Sequence, residues 1–124
     1  MALVLVIDDA LTMRDLVRRM LDRTNHSVIE AEDGVAGLTL FSRYSPDLVI
    51  TDLVMPNKEG IETIREMRRR KRDTKIIAMS GSATRGDNGY LSAAKKLGAD
   101  AVLAKPFGRG ELLALLDELV TNGR

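Results

Sequence analysis

Carboxylates stand directly behind short apolar runs of this chain. Asp8 and Asp9 follow "LVLVI" at Leu3 to Ile7, and Asp52 follows Leu48 to Ile50 and Thr51. Two further runs close on Ser80 and on Lys105–Pro106. Neighbouring carboxylates at the end of a buried-looking segment repel each other, and each wants water or a partner. A third carboxylate worsens the conflict, because like charges raise at least one pKa. A divalent cation removes it, and hard oxygen ligands favour Mg²⁺, which usually takes one or two carboxylates and keeps several waters. Ser80 and Lys105 are donors with no obvious carboxylate duty. Donors and a metal around one carboxylate suit a phosphoryl group, whose oxygens carry the charge during transfer. The middle carboxylate, Asp52, would then be the nucleophile.

These side chains need a frame that brings strand ends together. Five apolar runs recur: "LVLVI" from Leu3, "SVIEA" from Ser27, "DLVIT" from Asp47, "KIIAMS" from Lys75 and "DAVLA" from Asp100. Residues 3–7 and 48–50 are continuously apolar and rich in β-branched residues, as parallel strands covered on both faces are. Helical patterns lie between them. Met13, Leu16, Val17, Met20 and Leu21 form one apolar stripe, with Thr12 as the expected cap and Asp15 completing a weak capping box. A second helix is expected from Gly34 to Arg43, capped by Asp33, and "EDG" before it reads as a turn. Ile61, Ile64 and Met67 mark a third helix that ends in basic residues. Tyr90, Ala93, Ala94 and Leu97 mark a fourth, stopped by Gly98. Glu111 to Val120 is the fifth. The strands are too far apart for hairpins, so parallel crossovers are expected. The fold predicted is α/β: a doubly wound (βα)5 domain, five parallel strands with helices on both faces. In such sheets function gathers beyond the carboxyl ends of the strands, where Asp8, Asp9, Asp52, Ser80 and Lys105 fall.

Composition narrows the function classes. The chain has 124 residues, 44% hydrophobic and 30% charged, which suits one domain with one core. Nineteen basic against 18 acidic residues give a net charge of +1, no global reason to expect nucleic acid or an anionic membrane. There is no Cys, which excludes disulfides and thiol chemistry, and a lone His26 forms no cluster. No apolar run approaches the roughly 20 residues of a membrane helix, and no export signal is visible, so the cytoplasm is the expected compartment.

"VIDDA", "VITDLVMP", "AMSG" and "LAKPF", in this order and at about these intervals, resemble the receiver domain of two-component response regulators, notably the single-domain, chemotaxis-regulator-like members. The resemblance covers essentially the whole chain, so residues 1–124 read as a single receiver domain. It implies a flavodoxin-like three-layer sandwich with strand order 2-1-3-4-5. It also implies that Asp52 is the phosphoacceptor. Asp9 would bind Mg²⁺ directly, Asp8 through water, and the backbone carbonyl of Val54 would be the third protein ligand. Ser80 matches the hydroxyl that follows the phosphoryl group. Lys105 matches the lysine that pairs with a phosphoryl oxygen, and its bond to Pro106 is expected to be cis.

The implied activity is phosphoryl transfer from the phosphohistidine of a histidine kinase or phosphotransfer protein. Such a chain is no enzyme in the ordinary sense, since it catalyses only its own phosphorylation and dephosphorylation. Its partner-reading face would lie on the fourth helix, fifth strand and fifth helix, with the chain a monomer or weak dimer. Two rivals remain. One is a Mg²⁺-dependent aspartyl-nucleophile phosphohydrolase; such enzymes often carry D-x-D on one strand, whereas here the first strand ends in D-D. The other is a docking module that keeps the fold without the chemistry, against which the intact acidic set argues.

Other features have plainer readings. "RRRKR", Arg68 to Arg72, sits at a helix C-terminus, where cations favour the dipole and Glu66 can pair with Arg69 and Arg70. Direct nucleic-acid binding is not expected. "RGD" at Arg85 to Asp87 reads as loop. Leu112, Leu113, Leu115, Leu116 and Leu119 span more than one helix face, mainly as core. Receivers often carry an aromatic three positions before the lysine; here that position is Val102, so an aromatic relay cannot operate. The Gly-rich loop "GSATRGDNGY" is longer than is typical and is expected to join the partner-reading surface. Val54 and Ser82 occupy positions that influence phosphoryl lifetime in the family.

Overall fold

The parallel pairing expected of long crossovers is found throughout. The computed structural model describes residues 2–53, 60–71, 73–80, 95–96 and 98–122. Strands β1 (Leu3–Ile7), β2 (Ser27–Ala31), β3 (Leu48–Asp52), β4 (Lys75–Ser80) and β5 (Ala101–Ala104) form one sheet in the order β2-β1-β3-β4-β5. All four pairings are parallel. The described helices are α1 (Leu11–Met20), α2 (Gly34–Tyr44), α3 (Gly60–Arg70) and α4 (Arg109–Asn122), the last being the predicted fifth helix. The fold is the doubly wound, flavodoxin-like sandwich, with the sheet between two helical layers.

The period of two along each strand divides the apolar residues between two cores. Leu5, Ile7, Val49, Ile76 and Ala78 meet Leu38 and Phe41 of α2 and Ile64 and Met67 of α3. Val4, Val6, Leu48, Ile50, Ile77 and Met79 meet Val17 and Met20 of α1 and Leu112 and Leu116 of α4. Each fully buried aliphatic side chain stabilises the fold by about 1.5–3 kcal/mol. Those large gains let the sheet's carboxyl edge hold groups that favour neither burial nor one another. Val102 is a partly buried valine packed against the first core.

The helix ends show where local expectation meets context. Asp33 caps α2 as expected, its Oδ1 accepting from the Ala36 amide at 2.8 Å. Thr12 does not cap α1. The cap is Ala10, with φ −89° and ψ 116°, and no side chain bonds there. The Asp8–Asp9 turn delivers extended backbone at Ala10, so the helix begins before Thr12 and the capping box with Asp15 does not form. Leu16 also departs from the predicted stripe and is 43% exposed. The buried contacts of α1 narrow to Val17, Met20 and the following Leu21, leaving Leu16 turned outward. Helix α4 starts two residues before Glu111 because Glu111 Oε1 accepts from the Gly108 amide at 3.3 Å, the returning half of a capping box. Gly108 and Gly110 are weak helix formers that hid this start. Gly98 has φ +127°, the backbone conformation expected of a glycine that closes a turn.

Several expectations fall on residues outside the described set. They are the predicted fourth helix at Tyr90, Ala93, Ala94 and Leu97, the loop from Gly81 to Tyr90 with Ser82 and Arg85 to Asp87, the Val54 carbonyl, and Arg72. Among the described residues, no helix is long and apolar enough to cross a membrane.

Candidate functional site

Strand parity builds the site. Asp8 continues the alternation of Val4 and Val6, Asp52 that of Leu48 and Ile50, and Lys105 that of Leu103, all residues of the core beneath α1 and α4. Strands β1 and β3 pair Ile7 with Thr51, so Asp8 and Asp52 come next, side by side. Asp8, Asp9 and Asp52 each offer an oxygen within 4.8 Å of the others. Asp8 and Asp52 are 1% and 8% exposed, whereas Asp9 is exposed. At this spacing, with an effective dielectric of about 20, two carboxylates repel by roughly 3 kcal/mol.

Several groups hold the buried pair. Asp8 Oδ1 accepts from the Ala10 amide at 2.9 Å, and Asp52 Oδ1 from the Leu53 amide at 2.8 Å. Lys105 Nζ lies 2.9 Å from Asp8 Oδ2 and 3.5 Å from Asp52 Oδ2. Lys105 thus has the carboxylate duty that the sequence did not show. Its long side chain reaches across β4, which separates β5 from β3 in the sheet. One ammonium against three carboxylates leaves the described cluster negative, and a small hard cation fits that oxygen donor set.

Ser80 ends β4 beside these groups, and its carbonyl accepts from the Lys105 amide at 2.9 Å. Its Oγ is buried and, among the described residues, has no hydrogen-bond partner. A buried hydroxyl left so costs about 1–3 kcal/mol, and it stands ready to bond an oxygen brought to this edge. The Thr51 hydroxyl, in contrast, is spent on the Asp52 carbonyl at 3.0 Å. The Lys105–Pro106 bond is cis, as the resemblance implied.

Two contributors escaped the sequence reading. A Cβ on Gly60 would stand 2.1 Å from the Asp52 carbonyl oxygen and 2.6 Å from Leu53 Cα. Only glycine lets α3 begin so close to the backbone that carries Asp52. A glycine opening an apolar helical pattern was the one available signal. Arg14 is the second: its Nη1 donates to the Asp8 carbonyl at 2.8 Å and its Nε to Glu30 Oε1 at 3.1 Å. Arg18 holds the other Glu30 oxygen at 2.7 Å. The Arg18 hydrogen bond chiefly, with help from Arg14 and against partial burial, holds the Glu30 carboxyl below its ordinary 4.5.

Three cations of the basic run, Arg68, Arg69 and Arg70, have partners in the structure. Arg69 and Arg70 both pair with Glu66, at 3.3 and 3.2 Å. Arg68 donates to the carbonyls of Gly98 and Thr74 and pairs with Asp100.

Comparison with known proteins agrees with this geometry. The model of the response regulator receiver domain matches residues 4–117. The chemotaxis protein CheY of Halobacterium salinarum is 33% identical over 118 residues, 95% of this chain and 96% of its own. The response regulator MprA of a Mycobacterium species (strain KMS) is 36% identical over 117 residues, 94% of this chain but 50% of its own, so the chain spans about half the length of that relative. Among solved structures, a response regulator receiver domain protein from Clostridium thermocellum has a TM-score of 0.89 at 29% identity, covering 98% of this chain and 96% of that one. CheY4 of Vibrio cholerae has a TM-score of 0.85 at 29% identity, covering 96% and 98%. A family match through most of the chain, on a sheet of the same order and carrying the acidic edge, shows that this chain belongs to the response regulator receiver domains of two-component signalling.

Proposed function

We propose that residues 1–124 act as one receiver domain that accepts a phosphoryl group on Asp52 from the phosphohistidine of a histidine kinase or phosphotransfer protein. The observation that carries this reading is the buried Asp52 carboxylate standing among Asp8, Asp9 and the Lys105 ammonium. In the transfer, an Asp52 oxygen attacks phosphorus in line. The new P–O bond forms as the P–N bond to imidazole breaks, and the imidazole nitrogen keeps the electron pair. Lys105 exchanges part of its contact with Asp52 for a phosphoryl oxygen, and the Ser80 hydroxyl donates to another.

Asp8, Asp9 and Asp52, with the Val54 carbonyl, would hold Mg²⁺, which supplies positive charge beside the phosphoryl oxygens. The reaction ends on the protein's own side chain, so no separate substrate is turned over apart from loss of the phosphoryl group to water. The shift at Ser80 and Lys105 then biases the face formed by the predicted fourth helix, β5 and α4, where a downstream protein reads it. With Val102 at the usual aromatic position, that relay runs without a swinging ring. The compartment consistent with such a partner is the cytoplasm.

The test is phosphorylation by acetyl phosphate or a phosphorylated kinase, followed by intact mass with and without Mg²⁺. The parent gains one phosphoryl group only when Mg²⁺ is present. An Asp52→Asn variant that labels as well as the parent would sink the assignment.

A further inference from the structure

Arg14 is a cation at the edge of the acidic cluster that the phosphoryl chemistry does not use. Its side chain is 14% exposed and its fork is divided between two elements. Nε meets Glu30 Oε1 of β2 at 3.1 Å, and Nη1 donates to the Asp8 carbonyl at 2.8 Å. That carbonyl belongs to the peptide joining Asp8 to Asp9, a planar unit that also carries the Asp9 nitrogen. Asp8 has other restraints: its amide donates to the Ala31 carbonyl at 3.1 Å, and its side chain is held by the Ala10 amide and Lys105. Asp9 differs. It is exposed, and among the described residues no side chain bonds its carboxylate. Its position is set through its backbone, and Arg14 clamps the peptide in front of it. Glu30 anchors the clamp through Oε1, while its second oxygen is taken separately by Arg18, whose Nη2 donates to the Val28 carbonyl at 3.2 Å.

We propose that Arg14 is a positioning residue for the carboxylate cluster: anchored by Glu30, it holds the Asp8–Asp9 peptide and so places the Asp9 carboxylate for a divalent cation. This rests on the cation reading given above. Outer groups that orient metal ligands typically set affinity by about 10–100-fold, and a clamp acting through one peptide belongs at the low end.

The test is titration with Mn²⁺ alone, followed by water-proton relaxation and repeated with Mg²⁺ as competitor, alongside urea unfolding. Arg14→Gln weakens binding about 10-fold. Arg18→Gln also breaks an ion pair to Glu30 but touches neither Asp8 nor Asp9, and it keeps the parental affinity within about 2-fold. Glu30→Gln leaves Arg14 present but loosens its anchor, and gives a smaller weakening than Arg14→Gln. An Arg14→Gln protein that binds Mn²⁺ like the parent overturns the proposal, as does an Arg18→Gln protein that loses as much. Should Arg14→Gln fail to fold, parental affinity in Glu30→Gln overturns it. A parent that binds no Mn²⁺ at millimolar concentration refutes the cation site itself, and this proposal with it.

Discussion

The chain gathers like charges in two places, and the two are built in opposite ways. At the end of α3 the arginines are absorbed by structure: Arg69 and Arg70 pair with Glu66, and Arg68 joins the carbonyls of Gly98 and Thr74 to Asp100. At the carboxyl edge of the sheet, three carboxylates converge within 4.8 Å, with Lys105 shared between two of them. Arg68, Arg69 and Arg70 have neighbours of opposite sign in reach, so their charges are spent. The acidic cluster is held together by the strands beneath it despite its own repulsion. A like-charge cluster that the fold pays to maintain is a better sign of function than one that satisfies itself.

Substitutions at the two regions should therefore part sharply. The largest effect belongs to Asp52→Asn, which abolishes labelling by acetyl phosphate, as read by intact mass. Asp9→Asn comes next: Mn²⁺ affinity falls at least about 10-fold while the urea midpoint stays near that of the parent, because an exposed group has been altered. Arg68→Ala has the reverse signature. It strips donors from two carbonyls and a partner from Asp100, lowering stability by about 2–3 kcal/mol with cation affinity unchanged. Equal cation affinities for the parent and Asp9→Asn, or a cation defect in Arg68→Ala, would erase the contrast.

Smaller effects sharpen it. Arg69→Ala, at an exposed pair, changes stability by less than about 0.5 kcal/mol in urea. Glu30 adds a weak pH dependence of fixed sign. Its folded pKa lies below 4.5, so its contribution is present above that value and fades as pH falls through the folded value. Urea midpoints measured downward from pH 7 should show Glu30→Gln converging on the parent in acid.

Much of this was legible from residues alone. The spans of β1, β2 and β4 match their apolar runs, because a strand is marked by residues that neighbour one another along a short segment. Asp33 was recognisable as a cap because its partner, Ala36, lies three residues away. The candidate site residues could be found because they end those runs. Thr12 misled because capping depends on where the preceding turn leaves the backbone. Leu16 misled because helical period defines a stripe but not how wide a strip the neighbours cover.

The sequence by itself determined the alternation of strands and helices, and which side chains stand at the strand ends, since both follow from neighbours a few residues apart. Only the tertiary structure decided who meets whom. Lys105 reaches Asp8 across 97 positions, Gly60 lies against the Asp52 carbonyl, and Arg14 turns to the Asp8 carbonyl rather than to solvent. A lysine, a glycine and an arginine carry no local mark of such partners. Parallel crossovers bring the partners together, and that proximity exists only once the sheet has formed.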